Sequence, residues 1–565
     1  MSVPEDSAGP DRTSNPDLRN KPDRQSSGDN GTMRAAPESR SDSARAGNQT
    51  HPPKTGSGRT RDASGSDDAG RRDSRGRERG AARATGQGHR TAAAPAERRR
   101  GTDLARNVAY DVLRDVDESD SYANLVLPPM LRDRRISGRD AAFATELAYG
   151  TLRLRGRYDA IIEISAARTL DKIEAGVLDL LRLGAHQLLG MRVPAHAAVS
   201  ETVGLARERT GVGSGQFVNA VLRSVGRDSL ENWLERIGEV ADPTGSDPVA
   251  RLAVTESHPL WVTRAMREAL VGNGRSAAEL GELLQADNIA PLVTLVARPG
   301  LIRTGDLIEQ TRGAGSRGRW TPTAVVLSGG DPGVVPAVRD CTAADQDEAS
   351  QLVALALTVA PLLGERDERW LDLCAGPGGK AALLGAVAHE RGARLVANEV
   401  TPHRVRLVEH ALAALPAGAI EEIRTGDGRV VGQDEPGGYD RVLVDAPCTG
   451  LGALRRRPEA RWRRTPSDLA QLGTLQRELL TSALAAVRPG GVVAYVTCSP
   501  HLAETQLVIK DVLRKRDDVE VIDARPSVRR IAGQKIPLGE RPDIQLWPHV
   551  HGTDAMHLTL LRRAL

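Results

Sequence analysis

At 565 residues the chain is long enough for several domains, each able to bury a core of its own. It shows no apolar run of membrane-spanning length and no hydrophobic signal-type segment, so a soluble, cytoplasmic protein is expected. The net charge of +3 hides an asymmetry, because Met1–Arg100 carries 20 Lys/Arg against 14 Asp/Glu while the remainder carries 57 against 60.

Residues 1–100 contain no Phe, Tyr, Trp or Ile, and Ser, Gly, Asp, Arg and Pro dominate. Such a stretch has little to bury, so a disordered Arg-rich tail is expected, with clusters such as Arg98–Arg100 able to hold phosphates through counterion release. From Thr102 to about Gly238 the periodicity is helical, with Ala105, Val108, Ala109 and Val112 on one stripe and Val177, Leu180, Leu181, Gly184 and Leu188 on another. Gly211–Gly215 reads as punctuation before a helix over Phe217–Val225. The segments Ala195–Glu201 and Phe217–Arg223 resemble the two signature helices of the NusB-like RNA-binding fold. His196 and Asn219, within them, are expected to pack and cap.

Ser257-His258-Pro259-Leu260-Trp261 opens a further helical stretch to about Ala286. Pro291–Ala297 and Ala324–Leu327 then suggest a small α/β insert. From Asp345 onward strand-like and helix-like runs alternate, as in a parallel sheet wrapped by helices, with strands expected at Trp370–Cys374, Arg394–Glu399, Glu422–Arg424, Arg441–Asp445 and Gly491–Thr497.

The stretch Leu371–Lys380, LDLCAGPGGK, reads as strand, tight loop and helix start. Gly376, Gly378 and Gly379 let the backbone approach a ligand closely, and helix-start amides point at it. Glu399 ends the second strand, 27 residues after Asp372, where a dinucleotide fold places the acid that meets ribose hydroxyls. Asp427, between Gly426 and Gly428, follows the third strand and is a candidate acceptor for an adenine amine. Lys380 is followed by Ala381 rather than Ser or Thr, so no phosphate loop is completed. An adenosine-containing ligand without a triphosphate remains, and S-adenosylmethionine is the natural candidate.

The fourth strand delivers Asp445-Ala446-Pro447-Cys448 and the fifth Thr497-Cys498-Ser499-Pro500, so two thiols share one rim with the glycine loop. Chemistry at C5 of a cytosine calls for a nucleophile at C6, a task suited to a thiolate. A carboxyl group such as Asp445 can hydrogen-bond the base and stabilise the charge that develops. Arg455–Arg457 and Arg461–Arg464, interleaved with Trp462, are read as a surface for unpaired RNA. Cys341 is read as packing, and His549 and His551 as loop residues rather than metal ligands.

In order and spacing, LDLCAGPGGK, GDGR, DAPCTGLGALRRRPEARWRR and VTCSP resemble the RsmB/Sun/Fmu family of ribosomal-RNA cytosine-5 methyltransferases. The resemblance implies an α/β Rossmann-like class I methyltransferase domain over residues 346–565. Ahead of it come an all-α NusB-like domain over 101–240 and a helical linker with a small α/β RNA platform over 250–345. It implies that Cys498 is the covalent nucleophile and that Cys448 assists proton removal and release. Cys374, Ala375, Gly376, Pro377, Gly378, Gly379, Lys380, Glu399, Asp427 and Asp445 would line the S-adenosylmethionine pocket, Cys374 through its backbone alone. The implied substrate is an unpaired loop or bulge of 16S ribosomal RNA rather than DNA, whose methyltransferases use the Pro-Cys thiol as nucleophile. No metal is implied. Two departures are visible: Arg298-Pro299 stands where relatives carry Arg-Asn, and Gly552–His557 where they carry Asp-Gly and aromatics. Transfer RNA as substrate, and a NusB-like assembly factor without catalysis, stay open as alternatives.

Overall fold

In the computed structural model, which describes residues 103–119 and 121–565, a succession of helices runs from Leu104–Glu118 to Leu230–Ala241. The tail expected over residues 1–100 lies outside the described residues. Asp103 caps the first helix by accepting from Ala105 and Arg106 N–H, and the stripe Ala105, Val108, Ala109 and Val112 is buried as its spacing requires. Gly184 is needed because a Cβ there would overlap the Leu222 side chain, so the helix Ala175–Leu189 lies tight against Val212–Val225. That second helix begins at Val212, not Phe217, and takes in Gly213 and Gly215; a Cβ on Gly215 would fall 2.6 Å from Arg207 Cγ. His196 is exposed in the first turn of its helix and so does not pack, and Asn219, half-buried, lies mid-helix and so does not cap.

The helices Pro248–Thr255, Leu260–Gly272 and Leu280–Asp287 lead into a small antiparallel sheet. Its strands are β1 (Thr294–Ala297), β2 (Gly315–Arg317), β3 (Ala324–Leu327) and β4 (Ala343–Asp345), in the order β2-β3-β1-β4. Arg298, just past β1, is 2% exposed and donates to the carbonyls of Cys341 and Ala411. It therefore ties this small sheet to the helix Pro402–Leu412 instead of facing a ligand.

The large sheet holds β5 (Arg369–Asp372), β6 (Arg394–Glu399), β7 (Ile420–Thr425), β8 (Tyr439–Asp445), β9 (Val487–Thr497), β10 (Val519–Ile522), β11 (Ile544–Gln545) and β12 (His557–Arg563). Its order is β10-β12-β9-β8-β5-β6-β7, with β7 to β9 parallel and the β12 pairings antiparallel. Chain order reverses at β5, which lies between β6 and β8, so a crevice opens at the carboxyl ends of these three strands. The five expected strands are present, each within a few residues of its expected bounds; β10 to β12 were not anticipated. Among the described residues no helix is long and apolar enough to cross a membrane.

Candidate active site

The glycine loop is held from beneath by β6. Glu399, 3% exposed at the end of that strand, accepts from the N–H of Gly376 at 3.1 Å and of Thr401 at 2.9 Å. Its remaining lone pairs turn to Arg404 at 3.3 Å, whose guanidinium also donates to the Gly376 carbonyl. A Cβ on Gly376 would overlap the Glu399 carboxylate, so glycine is required there. Asn398, one residue earlier and fully buried, donates to Leu373 O and Gly426 O and so ties the glycine loop to the Asp427 loop. The sequence reading overlooked it.

Gly378 has φ +110° and starts the helix Gly379–Glu390, where a Cβ would sit 2.5 Å from that of Ala411. The Gly378→Ala protein is expected to lose about 2–4 kcal/mol, since backbone strain and overpacking add at one point. Urea unfolding monitored by circular dichroism checks this; a midpoint equal to that of the parent protein would refute it.

Beneath the loop Asp372 is completely buried, with one oxygen accepting from Cys374 N–H and the other without a partner. Burial, then the neighbouring Asp445, pushes its pKa up to about 7. Lys380 reaches across to Asp445 at 2.7 Å. Burial opposes its charge, but Asp445 outweighs that and leaves the ammonium above its ordinary pKa. Asp427 accepts from Arg429 through both oxygens, and this pairing holds it ionised below the usual carboxylate range. Burial keeps the Cys374 thiol protonated, well above its ordinary pKa, which leaves its backbone as the part that borders the loop.

The thiols beyond β8 and β9 meet. Cys448 Sγ and Cys498 Sγ are 3.3 Å apart, on loops that leave the adjacent parallel strands β8 and β9. The hydrogen bond from Cys448 draws the Cys498 thiol below its ordinary pKa against burial and Asp445, with Lys380 and Arg457 acting in the same direction. The same bond, then burial, holds Cys448 well above its ordinary value. The surroundings thus favour ionisation of Cys498 and oppose that of Cys448. Both loops are fastened by groups the sequence reading missed. Gly452 N–H donates to Cys498 O and Ala555 N–H to Gly452 O, each at 2.8 Å, and Glu504 receives bonds from Thr449 and Ser499.

The arginine stretch after Cys448 is not the open RNA surface expected. Arg455 and Arg456 form a buried cluster with Asp347 and Asp554, with contacts between 2.8 and 3.8 Å. Arg461 is wholly buried and donates to the carbonyls of Arg153, Ser257 and Asp287 and to Asn288 Oδ1. Arg463 donates to Val116 O and Ser121 O, while the Trp462 ring presses on Gly156. The run thus fastens the helical region to the sheet domain; of these arginines Arg457 is the exposed one. The Asp554 pairing also accounts for the unusual Gly552–His557 segment. Cys341 is half-buried, with Sγ 3.6 Å from His410 Nε2, rather than a core residue. His549 and His551 fall on the short helix Pro548–His551 and bond to Glu279 and Pro537 O, not in the loop expected. No group of three or more His, Cys, Asp or Glu able to hold a metal occurs among the described residues.

Residues 359–562 match the family model described as 16S rRNA methyltransferase RsmB/F, and residues 103–227 match that of the NusB family. A Mycobacterium tuberculosis protein described as a methyltransferase is 52% identical over 467 residues, 82% of this chain and 98% of its own length. The ribosomal RNA small subunit methyltransferase B of Escherichia fergusonii is 31% identical over 78% of this chain and 96% of its own. The solved structure of PH0851 shares the fold at TM-score 0.66 and 19% identity, covering 82% of this chain and 99% of that one. With the glycine loop, the paired thiols and the helical region all in place, the chain belongs to the RsmB/F family of 16S rRNA methyltransferases, a NusB domain preceding its methyltransferase domain.

Proposed function

We propose that this protein methylates C5 of a cytosine in an unpaired segment of 16S ribosomal RNA through a covalent bond from Cys498, in the cytoplasm. The observation that carries the reading is the sulfur pair itself, 3.3 Å apart beside the Lys380–Asp445 pair and above the glycine loop. The NusB-like domain is taken to extend to about residue 240, the linker and platform to about 345, and the catalytic domain beyond. The donor pocket suits S-adenosylmethionine: it offers Glu399 at the end of β6, Asp427 just past β7 and Asp445 at the end of β8 for hydroxyl and amine donors. Cys374–Lys380, Glu399, Asp427 and Asp445 would hold it, Glu399 turning its Arg404-facing lone pairs to the ribose. When bound, S-adenosylmethionine supplies an electrophilic methyl group.

The chain's residues supply the rest. The Cys498 thiolate adds to C6, forming the S–C6 bond and moving the C5=C6 π electrons into the ring. Asp445 accepts from the exocyclic amine, and Lys380 is the cation that offsets the negative charge. Once Cys498 is alkylated it carries no charge and no longer accepts from Cys448, so both of its effects holding the Cys448 proton vanish. Cys448 can then give up its proton to water and, as a thiolate, take the C5 proton, the C5–H electrons re-form the C5=C6 bond, and Cys498 leaves as a thiolate.

The Cys448→Ala protein should therefore complete addition and methylation but stall before release. With substrate RNA and donor, a covalent protein–RNA band is expected on denaturing gels, with turnover reduced roughly 100-fold or more. Normal turnover with no adduct would show the division of labour to be wrong. Bisulfite sequencing of ribosomal and transfer RNA with and without the protein identifies the substrate; protection confined to transfer RNA would displace the ribosomal reading.

A further inference from the structure

Glu504 lies in the turn Leu502–Glu504, six residues beyond Cys498, and its side chain is completely buried. One carboxylate oxygen accepts from Thr449 N–H at 2.7 Å and Gln476 Nε2 at 3.2 Å, and the other from the Thr449 hydroxyl and from the Ser499 hydroxyl at 2.6 Å. Thr449 follows Cys448, and Ser499 follows Cys498. Gln476 also donates to Pro447 O at 2.8 Å, on the other side of Cys448, and the Glu504 carbonyl accepts from Tyr495 of β9 at 2.8 Å. Four neutral donors thus fill both oxygens, and among the described residues no Lys, Arg or His forms an ion pair with them. A buried carboxylate without a cation costs several kcal/mol against an apolar core residue. Fold stability alone gives no reason to keep one there.

We infer that Glu504 is a positioning residue of the methyl-transfer reaction, clamping the Cys448 loop to the Cys498 loop so that the two sulfurs remain within hydrogen-bond distance. The inference rests on the proposed roles of the two thiols. The Thr449 and Ser499 hydroxyls lie 3.2 Å apart and Gly452 N–H donates to Cys498 O, and Glu504 draws both hydroxyls onto one oxygen, so it gathers the contacts that hold the two loops together. The charge has a second effect: Glu504 adds to the groups that keep the proton on Cys448, behind the Cys498 hydrogen bond and burial. Cys498 in turn faces Asp445, Lys380 and Arg457, and Tyr495 lies behind Cys448. The acid therefore sharpens the asymmetry between a thiol that must ionise first and one that must ionise later. Glutamine at 504 would keep the volume but remove the charge, and its amide would either oppose Thr449 N–H and Gln476 Nε2 or force the Thr449 and Ser499 hydroxyls to turn from donors into acceptors.

The test is alkylation of the full-length protein by iodoacetamide across a pH series, with each cysteine followed by peptide mass spectrometry, in parallel with steady-state kinetics. In the parent protein Cys498 should react at lower pH than Cys448. In Glu504→Gln the two midpoints are expected to converge by about one pH unit or more. The kcat should fall about tenfold or more while KM for RNA stays within about twofold, because the clamp sets the reacting groups and not the binding surface. Ser499→Ala removes one strand of the clamp with little change of volume and should shift both readings in the same direction by less. Glu504→Gln and Ser499→Ala proteins that are folded, with thiol midpoints and kcat unchanged, would overturn the inference. Because alkylation needs neither RNA nor donor, it separates the two ideas. If Cys498→Ala remained active the nucleophile assignment would fall, while convergence of the midpoints would still establish the clamp.

Discussion

Cys498→Ala protein is expected to lose methyl transfer by roughly 10,000-fold or more while binding S-adenosylmethionine as the parent does. On the proposed mechanism the loss is large because Cys498 is the group that adds to C6, and without addition C5 does not become nucleophilic. Cofactor affinity survives because the donor pocket is built from β5, β6 and β7 and the glycine loop, and Cys498 enters from β9. Isothermal titration with the donor and a tritium-transfer assay on ribosomal RNA read the two halves separately. Cys498→Ala also removes the acceptor that holds the Cys448 proton, so Cys448 should alkylate at lower pH in this variant. Substantial methyl transfer by it would place the nucleophile elsewhere.

The second large effect is structural. Arg461→Ala is expected to cost about 3–5 kcal/mol, because a fully buried cation leaves and three carbonyls and Asn288 Oδ1 lose their donor. Burial already draws the Arg461 pKa down to about 10, a measure of how little water reaches it. The carbonyls belong to Arg153 in the helical region and to Ser257 and Asp287 in the linker, while Arg461 itself comes from the loop after Cys448. The loss should therefore weaken the junction rather than either core. Urea unfolding is expected to split into two transitions, with the helical region released first. A single transition at the original midpoint would show that the junction does not depend on this side chain.

What the sequence disclosed and what it hid divide along one physical line. The positions of the glycine loop, Glu399, Asp427, Asp445 and the two cysteines were legible because each stands where its own strand ends, so local spacing places it. Arg461 was misread as a solvated, RNA-facing charge. Its surroundings come from three segments 173 to 308 residues away, and no local pattern reports them. Glu504 escaped notice for the same reason, since Thr449 reaches it from a different strand. Gly213 and Gly215 looked like a break and proved helical; at Gly215 tight packing against Arg207 selects for a missing side chain, whereas a Cβ on Gly213 would meet open space. The last strands were overlooked since His557–Arg563 carries polar and basic residues that blur its alternation.

That last strand bears on how the enzyme comes into being. β12 slots between β9 and β10, with His557 opposite Thr497, and the segment just before it secures Gly452 through Ala555. During synthesis every signature of the site leaves the ribosome before these residues do. Until they arrive, the strand bearing Cys498 is an open sheet margin, free to pair with a stranger. A nascent polypeptide can thus display a finished donor pocket while its reactive sulfur is still unheld, and premature termination near residue 550 would leave it arrested in that condition.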